Sequence, residues 1–287
     1  MNRMNKYVFV LVAVCCCACT SERDLAKSFV EKFSMKSYTP TEKIYVCLPK
    51  TVVHTNQTLN QMEGFSDLDY NTQDSVISAN TALLDKINDE IFLQQFNDNL
   101  IYNIKRLGIP TEIVEKPDDM PKAVPNKIFT INIVQIEAEE FVKKSISDFE
   151  DGKNYYHYNY DLKGFSTNVW YLLNDTSTNA ENMVVYFKNF ETMDKFDGKI
   201  DKIEKNKAIG TARFDRINVN DTYRSAYRAG AISAKKFCEK IINEYVTDKL
   251  NGDKPLYYYY YNPVDNDIIH YDYQLYKDND SFIPLKQ

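Results

Sequence analysis

The stretch DSVISANTALLDKINDEIFLQQFNDNLIYNIKRLGIP, residues 74–110, decides how this chain is read. Val76, Leu83, Leu84, Ile87, Ile91, Phe96, Leu100, Ile104 and Leu107 form one slowly drifting apolar stripe, which predicts a long amphipathic helix over Asp74–Leu107. Asn71 or Asp74 supplies a cap. Gly108 can take the left-handed conformation that ends a helix, and Pro110 cannot continue one. Compact β-type runs lie on both sides. Lys43 to Leu48 is closed by Pro49, and Ile109 to Glu115 follows the glycine. A strand, the long polar loop 50–73, a helix and a strand make a β-α-β opening.

Downstream the pattern turns antiparallel. Lys127–Ala138 is the clearest strand, with Phe129, Ile131 and Ile133 alternating with Thr130 and Asn132. The apolar phase then slips to Val134, Ile136 and Ala138, which predicts a β-bulge near Ile133–Val134. Glu139–Phe149 is charged and reads as a connection. Phe165–Leu173 and Met183–Phe190 flank a polar loop and read as a hairpin. Asp194-Lys-Phe-Asp197-Gly198 lacks the spacing of a calcium loop and reads as a turn. A second long helix is expected over Asp221–Leu250, capped by Asn220 or Asp221 and stopped at Gly252. Its first half, with Ala226, Ala229, Gly230, Ala231 and Ala234, is small-sided enough to lie close to a sheet. One or two strands follow, in the segment from Leu256 to Tyr276. The expected fold is α+β: a mixed, largely antiparallel sheet of about five strands with both long helices on one face.

The N-terminus carries an address. Arg3 and Lys6 precede the uncharged run Tyr7–Val14, and Cys15-Cys16-Cys17-Ala18-Cys19 follows. A basic segment, a short apolar segment and a small residue before a cut make a secretory signal. The run from Tyr7 to Cys17 is too short for the ~20 residues that a membrane-crossing helix needs. Cysteine at the cut makes the segment resemble a bacterial lipoprotein signal. Cys19, preceded by Ala18, is the expected acylated residue ahead of Cys15, Cys16 and Cys17. The organisation expected is a signal peptide over 1–18, a tether over 19–42 with a short helix on Leu25, Phe29 and Phe33, an α+β domain over 43–250, and a Tyr-rich extension over 251–287 packing on it.

Composition narrows the function. Loss of Arg3 and Lys6 with the signal takes the formal charge from −6 to −8. No basic cluster offers a nucleic-acid footprint. The mature chain keeps Cys47 and Cys238 besides the anchor, and two separate thiols are expected rather than a bridge. His54, His157 and His270 stand alone in sequence, so neither a metal pair nor a triad is legible. No catalytic residue, metal or cofactor is expected. The acidic groups Asp118-Asp119, Glu137-Glu139-Glu140 and Asp148-Glu150-Asp151 read as solvated faces. Tyr155-Tyr156-His157-Tyr158-Asn159-Tyr160 and Tyr257–Tyr261 are the unusual feature, since tyrosine pairs a flat apolar face with a polar tip. Asp74-Ser75-Val76 resembles an O-glycosylation acceptor of Bacteroidota envelope proteins.

The lipoprotein signal and the Asn-, Lys- and Tyr-heavy composition resemble outer-membrane lipoproteins of the Bacteroidota. The opening Ile44-Tyr-Val-Cys-Leu48-Pro49, followed by loop and helix, is similar to small envelope-lipoprotein domains of the curli-secretion and TolB N-terminal type, and to auxiliary lipoproteins of lipid transport. That resemblance covers about residues 43–250 and carries no specific site residue. It implies outer-membrane anchoring, facing the periplasm or the cell surface. The function expected is a non-catalytic accessory that binds partner envelope proteins in assembly or transport. The alternative is a glycan-binding surface lipoprotein using the Tyr-rich segments.

Overall fold

The computed structural model describes residues 21–60, 63–120, 128–151, 154–175, 184–204, 207–253, 255–262, 264–272 and 282–284. The elements in chain order are α1 (Glu22–Lys32), β1 (Lys43–Cys47), β2 (Val53–Asn56), α2 (Gln57–Asn60), α3 (Tyr70–Ala79), α4 (Asp89–Lys105), β3 (Thr111–Val114), β4 (Ile128–Asp151), β5 (Asn154–Asp175), β6 (Val184–Met193), β7 (Lys195–Glu204), β8 (Lys207–Asp215), α5 (Val219–Lys249), β9 (Tyr257–Asn262), β10 (Asp267–Asp272) and β11 (Phe282–Pro284). The fold is α+β. Its main sheet runs β11-β6-β5-β4-β1-β3, with β2 also on β4. β1 is parallel to β3 and β4, β2 is parallel to β4, and the β4-β5-β6-β11 side is antiparallel.

The expected single helix over Asp74–Leu107 is broken. α3 ends at Ala79, a 3₁₀ turn covers Leu84–Lys86, and α4 starts afresh after Asn88. Two side chains account for the break. The Glu140 carboxylate accepts the Ala82 N–H at 3.0 Å and the Leu83 N–H at 3.3 Å, so these amides are lost to a helical ladder. The Asn88 side chain then accepts the Ile91 N–H at 3.1 Å and caps α4, with Asp89 and Glu90 in the favoured first turn. Gly108 ends the segment as expected, at φ 84°. The loop 50–73 is also shorter than read, because it contains β2 and α2.

α4 and α5 roof one face of the sheet over Ile131, Ile136, Ala138, Phe165, Val169 and Tyr171, all nearly inaccessible. The bulge falls where the phase slip predicted it. Register shifts between Ile133 and Gln135, and the extra residue Val134 is 56 % exposed. Without that insertion, Ile136 and Ala138 would turn to the outer face. α5 begins at Val219 under a reciprocal Asn218–Asp221 capping box, slightly earlier than expected. Its small residues do not serve only the sheet. A Cβ on Gly230 would lie 2.3 Å from the Phe96 carbonyl oxygen, so the glycine lets α5 cross the backbone of α4. Ser225 and Ser233 face the sheet instead: Thr167 donates to Ser225 at 2.9 Å and Tyr171 to Ser233. These contacts set α5 running in the same direction as β5.

The short helix expected within 19–42 forms as α1, and it is docked on the body. It buries Ala26, Phe29 and Val30, and Phe29 packs on Tyr245 near the far end of α5, ring centroids 4.4 Å apart. The β9–β10 hairpin packs beside it, where Asn243 both accepts the Tyr259 N–H at 2.8 Å and donates to the Tyr259 carbonyl. Cys47 in β1 and Cys238 in α5 are buried free thiols. Desolvation pushes both upward, Cys238 to about 12, where the neighbouring Glu239 charge adds to the effect.

Candidate functional site

Beyond Glu140 on β4 and Gly164 on β5 the sheet loses its flanking strands. β2 stops opposite Glu140 and β6 stops opposite Gly164, yet β4 and β5 stay paired as far as Asp151 and Asn154. Residues 139–149 are therefore strand and not the expected connection. Strand β7 likewise replaces the expected turn at Asp194–Gly198, and with β8 it forms a separate two-stranded hairpin. Two long hairpins thus leave the body at one level.

Their roots are held by two buried carboxylates. Glu140 is 6 % exposed and receives Thr81, Ala82 and Leu83 from the segment before α4. Asp194, 2 % exposed, accepts the Lys163 N–H at 3.1 Å and the Ile217 N–H at 2.9 Å, and pairs with Arg216. Its own N–H donates to the Lys163 carbonyl at 2.8 Å. One side chain therefore joins the start of β7, the exit of β8 and the edge of β5. A buried carboxylate persists only with such partners.

Above the roots both hairpins are two-faced. On the first, Phe141, Phe149, Tyr156, Tyr158, Tyr160 and Leu162 share one face by register, with Ser145, Ser147 and Lys143 among them. The other face carries Lys144 opposite Asp161 and Asp148 opposite His157, with Val142, Ile146 and Tyr155 as its less polar members. Asp148 and His157 are hydrogen-bonded at 2.6 Å. On the second hairpin, Phe196, Phe214, Gly198 and Ala212 share one face, and Lys195, Asp215, Asp197 and Arg213 the other. The ring-bearing faces meet. Tyr160 stacks on Phe196 at 4.1 Å, Tyr158 on Phe196 at 5.6 Å, and Phe214 edges Tyr160 at 5.9 Å. Phe141 lies over Gly164 and Phe196 over Gly198, where a Cβ would meet the ring at 2.2 and 2.3 Å. Hydrogen bonds from Ser145 and Ser147 hold the Tyr160 phenol below its ordinary range. Between the hairpins lies a cleft of about 270 Å³, lined by Phe149, Tyr156, Tyr158 and Phe196 with Lys199 and Thr211 at its polar side.

The residues singled out from sequence are dispersed. Cys19 lies outside the described residues. Of the first Tyr cluster, Tyr156, Tyr158 and Tyr160 form the ring face of β5, while Tyr155 and His157 lie on the other face. The second goes mostly to packing: Tyr258 and Tyr259 are buried and Tyr260 stacks on Tyr271 at 4.6 Å, while Tyr257 stays exposed. His54 pairs with Asp89, His157 with Asp148, and His270 packs on Tyr257, each in a different place. Glu137 and Glu139 both accept from Asn168. Among the described residues no group of three or more His, Cys, Asp or Glu is placed to hold a metal. Ser75 sits exposed on α3 and donates to the Asn71 carbonyl. Sequence reading missed the β7–β8 hairpin. Its signal was the alternation of Phe196, Gly198, Ala212 and Phe214 with Lys195, Asp197, Arg213 and Asp215, in which glycine and alanine stand for apolar side chains. No helix among the described residues is long and apolar enough to cross a membrane, which leaves strands unaddressed. No protein-family model matches the chain, and no curated protein matches it in sequence.

Proposed function

We propose that this chain is a non-catalytic, lipid-anchored protein of the outer membrane, an assembly or transport accessory whose working part is the hairpin pair. In this reading the two hairpins enter the bilayer, and their ring faces, which stack on each other in the described arrangement, part and turn to lipid while the charged faces turn to water. The observation that carries it is their shared two-faced alternation over a matching length. β7 and β8 have 10 and 9 residues. The part of the first hairpin beyond the body, 141–151 with 154–164, is of similar length. A membrane-crossing β-strand needs ~9–11 residues at a tilt of ~45°. Tyr156, near the hairpin tip, suits the boundary between lipid and headgroup, where an amphipathic ring is at home, and Tyr160 stands near mid-length.

Four strands cannot close on themselves, because the smallest spanning barrels have ~8. Open edges in hydrocarbon leave backbone groups unpaired. The hairpins therefore require partner strands, from copies of this chain or from another envelope barrel, and this is the partner binding that the reading assigns. The glycan-binding alternative has one observation in its favour, the aromatic cleft between the hairpins, and has lost the second Tyr cluster to packing.

The test is a cysteine scan over Asn159–Leu162 in the acylated protein, each site labelled with an environment-sensitive dye after reconstitution into outer-membrane lipid. The expected result is a period of two, with positions 160 and 162 reporting lipid and 159 and 161 reporting water. Uniformly aqueous signals, together with saturable glycan binding that Tyr158→Ala abolishes, would replace this reading by the alternative.

A further inference from the structure

α1 and the hairpins are at opposite ends of the body. Thr167 meets Ser225 and Tyr171 meets Ser233, so α5 runs away from the hairpin roots as β5 does. α1 docks at the far end: Phe29 lies on Tyr245, and Glu22 accepts from the Tyr259 hydroxyl at 3.1 Å, Tyr259 itself being fixed by Asn243. From Val219, beside the roots, to Asn243 the helix rises ~36 Å at ~1.5 Å per residue. Cys19 precedes Glu22 by only three residues, a reach of ~10 Å at full extension. With α1 docked, an acyl chain on Cys19 falls ~25 Å short of a membrane that holds the hairpins.

We infer that α1 is a releasable latch, which must leave its seat on α5 and the β9–β10 hairpin before the anchor and the hairpins can share one bilayer. This inference rests on the function proposed above. The chain has the slack for it. Lys43 pairs with Ile128, twelve residues before Glu140, and so stands ~40 Å from the root level. Residues 19–42, once extended, span ~80 Å. The seat is also of a kind that opens without disturbing the body. Only Ala26, Phe29 and Val30 are buried on α1. Its polar ties include Glu22 to the Leu256 N–H and the Tyr259 hydroxyl, Arg23 to Asp267 and the Ile268 carbonyl, and the largely buried pair Lys32–Glu42, which travels with the segment 19–42. The docked state then keeps an anchored molecule out of the inserted arrangement until α1 lets go.

The experiment locks the latch from outside. Arg23 and Asp267 form an exposed pair at 2.8 Å. Arg23→Cys with Asp267→Cys, bridged by a short bis-maleimide, ties α1 down without touching its buried residues. Trypsin access at Lys144, Lys199 and Arg213 is read in acylated protein reconstituted into vesicles of outer-membrane lipid. Bridging is expected to abolish hairpin protection, and a roughly thirty-residue Gly-Ser spacer after Thr20, r.m.s. length ~30 Å, is expected to restore it with the bridge still in place. Equal protection with and without the bridge would overturn the latch while leaving membrane insertion intact. Hairpins cleaved in every form, unbridged and spacer-bearing included, would overturn the membrane reading and the latch with it.

Discussion

In the body, the strand face bearing Ile131, Phe165 and Tyr171 is covered by α4 and α5, and its residues are almost wholly inaccessible. A few residues further along the same two strands, the face bearing Phe149, Tyr158 and Tyr160 has no helix over it and meets only a second hairpin of the same kind. The period-two alternation is common to both. What differs is what stands opposite. A buried layer makes the first a core, whose energy resides in close packing. The second is closed only by a hairpin of its own kind, and Tyr158 on its ring face stays 41 % exposed. Such a face suits an environment other than water better than it suits a fold of its own.

The largest losses on substitution are expected in the body. Gly230→Val would push a side chain into the α4 backbone at Phe96, and Phe237→Ala would leave a void beneath Tyr171. Each is expected to cost about 3 kcal/mol or more, read as a shift of the urea midpoint at unchanged slope. Tyr160→Lys sharpens the contrast from the other side. It should leave the body's unfolding midpoint within about 0.5 kcal/mol. Membrane transfer, by contrast, should weaken by about 2–4 kcal/mol, measured as vesicle partitioning. A fall in both together would mean that the hairpins belong to the core. Asp194→Asn tests the joint between the two regions. An amide cannot accept from both Lys163 and Ile217 while meeting Arg216, so a loss of about 1–3 kcal/mol is expected. Proteolysis at the hairpin roots should rise first.

The smallest effect concerns the latch and depends on pH. Burial alone would raise the Glu42 carboxyl, but hydrogen bonds from Lys32 and Tyr38 outweigh it and hold the group below its usual range. A depressed folded value means stability that is present above the unfolded value of about 4.3 and lost as pH falls through the folded one. α1 should therefore loosen as pH drops below about 4. Hydrogen exchange of its amides reads this directly, and Glu42→Gln should remove the dependence. An unchanged pH response in that variant would assign the effect elsewhere.

Most of the body was legible because its signals are local. Gly108, the phase slip at Val134 and the stop at Gly252 each act within a turn or two of chain. The break between α3 and α4 was not, since Glu140 captures amides more than fifty residues earlier in the sequence. The hairpins were obscured for a different reason. Glu139–Phe149 carries Lys143 and two serines on its ring face, and most of the rings sit on its partner strand, so this segment alone does not look half-buried. The two-faced character appears only when β4 is laid against β5. The Tyr257–Tyr261 cluster misled in the opposite sense: five tyrosines in a row advertise a surface, and the fold spends them on α1, α5 and β10.

Cys47 and Cys238 give the body a pair of chemical clocks. One thiol sits in β1, one strand in from the sheet edge, and the other in the helix layer, both buried and both pushed away from the reactive thiolate. A thiol reagent reaches either one only when its layer opens, so each labelling rate times a different part of the molecule. Equal rates would mean that sheet and helices open as one unit. A faster Cys238 would mean that the helix roof lifts off while the sheet beneath stays paired.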